Sequence, residues 1–345
     1  MRFDYSDEQY QLRDVARDFF AKECPPAAVR AAWDHDTARD SQRWRKMAEM
    51  GLVGLTVPTQ YGGLGLHEVD LVLLLEEAGR AALPEPLAET TAIAVPTLVE
   101  AGTPVQRDEW LPRIAAGDAV ATVQLAGTPS AQAAVVGSAL VSAAHIADLL
   151  LTESGGELHA VPAGRFEAVA QPSMDGARRL FTVRAETGDD TRMDGGVEAA
   201  GKAFDRGAWA TAALLNGVAQ RLLDMTVAYV QERWQFGRPV GSFQAIKHKL
   251  AETLLVVETS KAATAYAAYA LASGRSDRAE AVSVAKAYAS DAAHKANTEA
   301  LQCHGGIGFT WQHDLHLWLK RGKALEQAYG SATWHRARIA ERLFA

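Results

Sequence analysis

Arg233-Trp234-Gln235-Phe236-Gly237-Arg238-Pro239-Val240-Gly241-Ser242-Phe243-Gln244-Ala245-Ile246-Lys247-His248-Lys249-Leu250 is the stretch from which the fold is most directly read. A long apolar-periodic segment ends near Arg233, a turn with two glycines and Pro239 follows, and Ser242 stands where it can cap a second helix. The turn gathers an arginine, two aromatic rings and a glutamine. A guanidinium suits bidentate phosphate contacts, and aromatic and amide groups suit a ring system, so the loop has the chemistry to hold a nucleotide. The alternative for the loop taken alone is a helical hairpin with solvated charges.

On both sides of this turn the period is helical. Segments near 206–232, 243–272, 278–303 and 323–343 predict a C-terminal four-helix bundle. Upstream, between 119 and 200, short apolar runs such as Ala119-Val120-Ala121-Thr122-Val123, Ala147-Asp148-Leu149-Leu150-Leu151 and Leu180-Phe181-Thr182-Val183 are broken by Gly, Pro, Ser or Asp, which predicts a small β domain. The N-terminal part is helical again. Ser6 and Gln9 form a capping-box pattern ahead of Leu12, Val15, Ala16 and Phe19, and helices follow near 41–50 and 68–82. The glycine-rich turn Tyr61-Gly62-Gly63-Leu64-Gly65 lies between those two. The expected organisation is therefore 1–118 helical, 119–200 a small β domain and 201–345 a helical bundle: a mainly α protein with one small sheet unit.

The 345 residues, 48% hydrophobic and 22% charged, lie at the globular average, far from the disordered corner. With 42 acidic against 35 scattered basic residues, the net charge of −7 argues against a nucleic-acid surface, which needs a one-sided basic field. Cys24 and Cys303 are too few for a disulfide framework and form no CxxC pair, so a reducing, cytoplasmic setting is expected. No apolar run is long enough to cross a bilayer, and no leader pattern is visible. No Glu-x-x-His, Walker loop, GxGxxG or GxSxG occurs. His304, His313 and His316 lack zinc-type spacing and read as solvated or capping histidines, so no metal is expected.

A second unusual stretch is Gln302-Cys303-His304-Gly305-Gly306-Ile307-Gly308-Phe309-Thr310-Trp311, whose glycines permit positive φ and close approach of a ligand. Taken alone it is a helix C-cap. Together, on a frame of helices, sheet and bundle, Arg233-x-x-Phe236-Gly237-x-x-x-Gly241-x-Phe243-Gln244 and Gln302-x-x-Gly305-Gly306-x-Gly308 resemble the two strongest C-terminal signatures of the acyl-CoA dehydrogenase family. The resemblance runs from the Tyr5 helix to the bundle. It implies an FAD enzyme that oxidises an acyl-CoA to its 2,3-enoyl thioester and passes electrons to an electron-transfer flavoprotein. It further implies that Arg233, Gln235, Phe236, Phe243 and Gln244, with Gln302, His304, Gly305 and Gly306, contact the flavin dinucleotide of a neighbouring subunit.

Elsewhere the resemblance thins. The family's Thr-Glu-Pro segment corresponds to Val123-Gln124-Leu125-Ala126-Gly127-Thr128-Pro129, no Trp-Ile-Thr strand follows, and the 119–200 unit looks cut short. The usual catalytic glutamate falls on Tyr329, the family's alternative position on Gly207, and the nearest carboxylate is Glu326. A phenol with an ordinary pKa near ~10 is a poor base at neutral pH. The substrate-contact stretch keeps Asp205 and Arg206, with Ala208 where the family's arginine is expected. Three readings follow: one subunit of an α2β2 enzyme for bulky thioesters such as sterol side-chain acyl-CoAs, whose partner carries the base; a self-sufficient dehydrogenase with a relocated base; or a non-catalytic acyl-CoA-binding scaffold.

Overall fold

The computed structural model describes residues 4–125 and 140–344. Helix α1 (Asp7–Glu23) opens on the capping box read from the sequence. The Gln9 N–H donates to Ser6 Oγ at 3.3 Å and the Ser6 N–H donates to Gln9 Oε1 at 2.9 Å, so each side chain satisfies a donor that the first turn leaves free. Helix α2 (Pro26–Asp34) escaped the periodicity reading; its signal was the proline at the first helical position. Helices α3 (Ser41–Glu49) and α4 (Glu68–Arg80) stand where expected, joined by a tight turn that carries the Tyr61 to Gly65 stretch. A π-helical turn (Ala88–Ala94), α5 (Val95–Ala101) and α6 (Pro104–Ala115) follow in a region the sequence reading left unassigned.

Among the described residues the β unit holds two three-stranded sheets. In the first, β1 (Ala121–Gln124) pairs parallel with β3 (Leu149–Ser154), which pairs antiparallel with β4 (Glu157–Pro162). In the second, β6 (Leu180–Ala185) lies between β2 (Val141–Ser142) and β5 (Phe166–Gln171). Leu150 of the first sheet packs with Val141, Ala144 and Phe181, giving the unit its own small core. The 126–129 part of the stretch aligned with Thr-Glu-Pro lies outside the described residues.

Helix α7 (Gly196–Glu232) runs the length of the molecule, followed by α8 (Gln244–Ala272) and α9 (Arg278–His304). The segment read as one helix over 323–343 is two, α10 (Leu315–Gln327) and α11 (Ala332–Leu343). The physical reason is the turn between them. Tyr329 at φ +53° and Gly330 at φ +94° reverse the chain, and the Trp334 N–H then donates to Ser331 Oγ to start the last helix.

One hydrophobic core joins the N-terminal helices to the bundle, and its tightest point is the crossing of α4 with α7. A Cβ on Gly217 would lie 1.8 Å from the Glu76 carbonyl oxygen, and one on Gly79 would lie 2.1 Å from that of Leu214. In an exposed helix Gly→Ala gains about 1 kcal/mol. Here the sign inverts: Gly217→Ala is expected to cost at least about 3 kcal/mol in urea unfolding, because backbone against backbone cannot relax by a rotamer change. A neutral or stabilising result would show that the two helices are not this close.

Candidate functional site

The end of α7, the start of α8 and the end of α9 lie together, because three successive helices run antiparallel. The Arg233 N–H closes α7 on the Tyr229 carbonyl, and β7 (Trp234–Gln235) and β8 (Arg238–Pro239) form a short hairpin. Its two turn residues, Phe236 at φ +51° and Gly237 at φ +76°, both occupy the left-handed region, as a type I′ turn requires. For a phenylalanine this is an unfavourable conformation, held while its ring is 91% exposed. Phe243 meets the Phe236 ring edge-on at 6.2 Å, and the Arg238 guanidinium sits 3.9 Å above Phe243. Arg233, Gln235 and Gln244 are exposed around this platform.

The second signature is brought to the same place by Tyr229, whose ring stacks on His304 at 4.4 Å. Lys249 of α8 ties to Glu299 of α9 at 2.6 Å. Gly305, at φ +62°, and Gly306 are exposed with open space where a side chain would stand, and Gln302 is exposed beside them. His304 is not solvated, as the sequence reading had it, but 3% exposed, and His316 is likewise buried. The reason is packing: His304 lies between Tyr229 and His313, and burial lowers its pKa. Its Nδ1–H donates to the Ala300 carbonyl at 2.8 Å, which makes Nε2 an acceptor, and that buried nitrogen has no partner among the described residues. His313 does cap, accepting from the Leu315 N–H at 3.1 Å.

Ser242 departs from expectation in the same region. Phe243 is the N-cap of α8 and no side chain caps the helix. The Ser242 Oγ is buried and has no partner among the described residues. An uncapped 29-residue helix N-terminus with no acidic residue between Arg233 and Lys249 makes this end of the bundle receptive to an anion.

The two positions counted from the signatures for a base also converge, although 207 lies in α7 and 329 in the α10–α11 turn. A Cβ on Gly207 would lie 2.3 Å from Cε1 of Tyr329. The tyrosine ring therefore occupies the space over Gly207, flanked by Phe204 at 5.9 Å. Desolvation drives its phenol well above the ordinary range, the opposite of what a base needs. Glu326 faces away from this point: Lys323 Nζ donates to both of its oxygens, at 2.9 and 3.0 Å, and His294 is near. Asp205 is 2% exposed and receives Arg338 at 2.6 Å, with Arg278 at 3.9 Å. Arg206 is 3% exposed and divided between Glu68 at 2.8 Å and Glu100 at 2.6 Å. Both charges are thus compensated inside the fold rather than presented to an open cavity.

Sequence reasoning missed the residues that hold the Tyr329 turn. Lys286, wholly buried in α9, donates to the Glu326 carbonyl at 3.1 Å, the Gly330 carbonyl at 3.0 Å and Ser290 Oγ at 3.1 Å. Its burial lowers its pKa to about 7. His335 Nε2–H donates to the Tyr329 carbonyl at 2.9 Å, and Nδ1 meets Ser283 Oγ at 3.1 Å. The signal available was a lone lysine on the buried stripe Val282, Ala285, Lys286, Ala289, Ala293.

Among the described residues no cluster of His, Cys, Asp or Glu has the makings of a metal site, and no helix is long and apolar enough to cross a membrane. A helical frame around a small sheet unit brings a hairpin and a glycine-rich helix end together in one exposed corner. Residues 6–118 match the acyl-CoA dehydrogenase N-terminal domain and residues 194–344 the acyl-CoA dehydrogenase C-terminal domain. The chain is 35% identical to acyl-CoA dehydrogenase IpdE2 of Mycobacterium tuberculosis over 94% of its own length and 92% of that protein's. Among solved structures it superposes on a variant of the Tcur3481-Tcur3483 steroid ACAD with a TM-score of 0.89 at 28% identity, covering 98% of each chain. It superposes on the ChsE4-ChsE5 complex of Mycobacterium tuberculosis with a TM-score of 0.89 at 26% identity, covering 99% of each chain. The protein belongs to the acyl-CoA dehydrogenase family, oxidoreductases acting on CH–CH groups.

Proposed function

We propose that this chain is the base-lacking subunit of a hetero-oligomeric, FAD-dependent acyl-CoA dehydrogenase of the α2β2 kind, acting on a bulky acyl-CoA such as a sterol side-chain thioester. The observation that carries the reading is the Tyr329 ring on Gly207, which leaves neither position a carboxylate and fills the space one would need. The exposed corner of the bundle, by contrast, retains what a flavin dinucleotide requires. Arg233 and the α8 N-terminus suit the pyrophosphate; Gln235, Phe236, Phe243 and Gln244 suit the adjoining rings; Gln302, Gly305 and Gly306 suit the adenosine end, with His304 buried beneath them. FAD, when bound, supplies the acceptor for the hydride that leaves the thioester's β-carbon. The residues of this chain bind and orient; the partner subunit supplies the carboxylate for the α-proton, and an electron-transfer flavoprotein takes the electrons. That two of its solved relatives are a steroid ACAD and a ChsE4-ChsE5 complex supports the same assignment.

The test is flavin content. Purified alone, the full chain is expected to be colourless; co-expressed with its partner it should yield a yellow, active complex. In that complex Arg233→Ala should weaken FAD retention about tenfold or more, the effect of losing a charge-assisted hydrogen bond. A yellow homodimer turning over acyl-CoA without a partner would refute the assignment.

A further inference from the structure

A cleft remote from the Tyr329 turn and from the hairpin lies between α1, the start of α2, the end of α4, α7 and α10, enclosing about 550 Å³ including its open mouth. Its walls are largely apolar, with Phe20, Pro25 and Trp318 the bulkiest groups, and three arginines enter it: Arg17, Arg80 and Arg221. Two of the three are already matched. Arg17 bonds Glu77 at 2.6 Å, and Arg80 pairs with Asp224 while lying 4.0 Å from Glu77. Two further carboxylates nearby are held by other arginines: Asp314 by Arg30 at 2.7 Å, and Asp14, 3.9 Å from Arg17, by Arg13 at 2.7 Å.

Arg221 has no hydrogen-bond or carboxylate partner among the described residues; its guanidinium lies 5.0 Å over the Trp318 ring. The Trp318 Nε1–H donates to the Arg80 carbonyl at 2.9 Å, so the buried indole is fixed in place beneath the Arg221 guanidinium. Burial, then the charge of Arg80, holds Arg221 below the usual guanidinium range, a cost that an anion in the cleft would remove. Arg17 and Arg80 thus have carboxylate partners and Arg221 has none among the described residues, which leaves its positive charge unmatched in the cleft.

We propose that this cleft is a binding site for a small organic carboxylate, its anionic end on Arg221 and its apolar body along the accessible wall formed by Ala21, Pro25, Pro26 and Ala81, with Phe20 and Trp318 buried as the floor behind it. The charge balance selects a monoanion. A dianion such as phosphate would face Glu77 and Asp224 with only one free guanidinium, and the apolar walls would strip its hydration without replacing it. A concave site with one convergent charge and apolar walls has the form of a small-molecule site rather than of a flat protein contact. This assignment is independent of the flavin reading.

Titration calorimetry on the full chain, and on its assembled complex, with sodium benzoate as probe is the direct test. Saturable binding of one benzoate per chain is expected, with acetate and inorganic phosphate at least tenfold weaker. Arg221→Gln should weaken benzoate at least tenfold, the loss of a charge-assisted contact. Ala21→Phe, on the exposed rim, should block the cleft without touching its charges, and circular dichroism checks that both variants fold. Absence of saturable binding to folded wild-type chain, phosphate binding as well as benzoate, or undiminished binding by Arg221→Gln would each overturn the proposal. So would binding that disappears on assembly, which would assign the cleft to an acidic group of another subunit. None of these readouts depends on FAD or turnover.

Discussion

Gly207→Glu, the substitution that would return a carboxylate to one of the two base positions, is expected to destabilise the protein by at least about 4 kcal/mol or to prevent its folding. The Cβ alone would enter the Tyr329 ring at 2.3 Å, and the carboxylate would be buried without a partner. The double variant Gly207→Glu with Tyr329→Gly should recover most of that loss. Removing the ring clears the space, and residue 329, at φ +53°, already holds a conformation that glycine adopts without strain. A double-mutant cycle by urea unfolding should show a favourable coupling above about 2 kcal/mol. Simple additivity of the two losses would mean that the tyrosine does not exclude the carboxylate.

The second large effect is acid lability centred on His335. Burial first, then the charge of Lys286, lowers its pKa to about 3 from an ordinary value of 6.5. The folded value lies below the unfolded one, so the unfolded chain takes up the proton first. The stability conferred by the neutral ring is complete above pH 6.5 and is lost as the pH falls toward 3. Linkage gives about 2 kcal/mol of loss between pH 6.5 and 5 from this residue, and on the order of 4 kcal/mol over the whole window. His335→Gln, which keeps a donor for the Tyr329 carbonyl, should remove that slope, whereas carboxylates that titrate in both proteins cancel in the difference. Unchanged pH dependence in the variant would show that the ring is not held neutral. Lys286 acts in a separate window. Its pKa is also lowered, to about 7 from 10.5, so stability should rise with pH between those values.

These two residues mark how far the site could be read from the sequence. The hairpin was legible because its determinants are close in the chain: glycine and proline set the turn, and apolar residues at helical spacing set the flanking helices. The capping box of α1 was legible for the same reason, both partners lying within three residues. Ser242 shows where local reasoning stops. It has the right residue type in the right position for a cap, yet Phe243 takes that place and leaves the hydroxyl orphaned, because the short 240–242 turn sets the helix entry. The break at 328–331 was missed because Tyr329 is not a turn residue by composition. Its left-handed conformation is maintained by Lys286 and His335 from two other helices.

The sequence by itself determined the mainly helical frame with its small sheet unit, the two signatures and the missing carboxylates at 207 and 329, since each is a property of residue type and short-range spacing. Only the tertiary structure decided that Tyr329 fills the space over Gly207, that Asp205 and Arg206 are spent on internal ion pairs, that Gly79 and Gly217 let two helices touch, and that Arg221 has no hydrogen-bond or carboxylate partner among the described residues. Those facts depend on groups brought together from distant parts of the chain. Contacts of that kind leave no periodicity in the sequence; they arise when the elements pack and each buried charge finds, or fails to find, its counterpart.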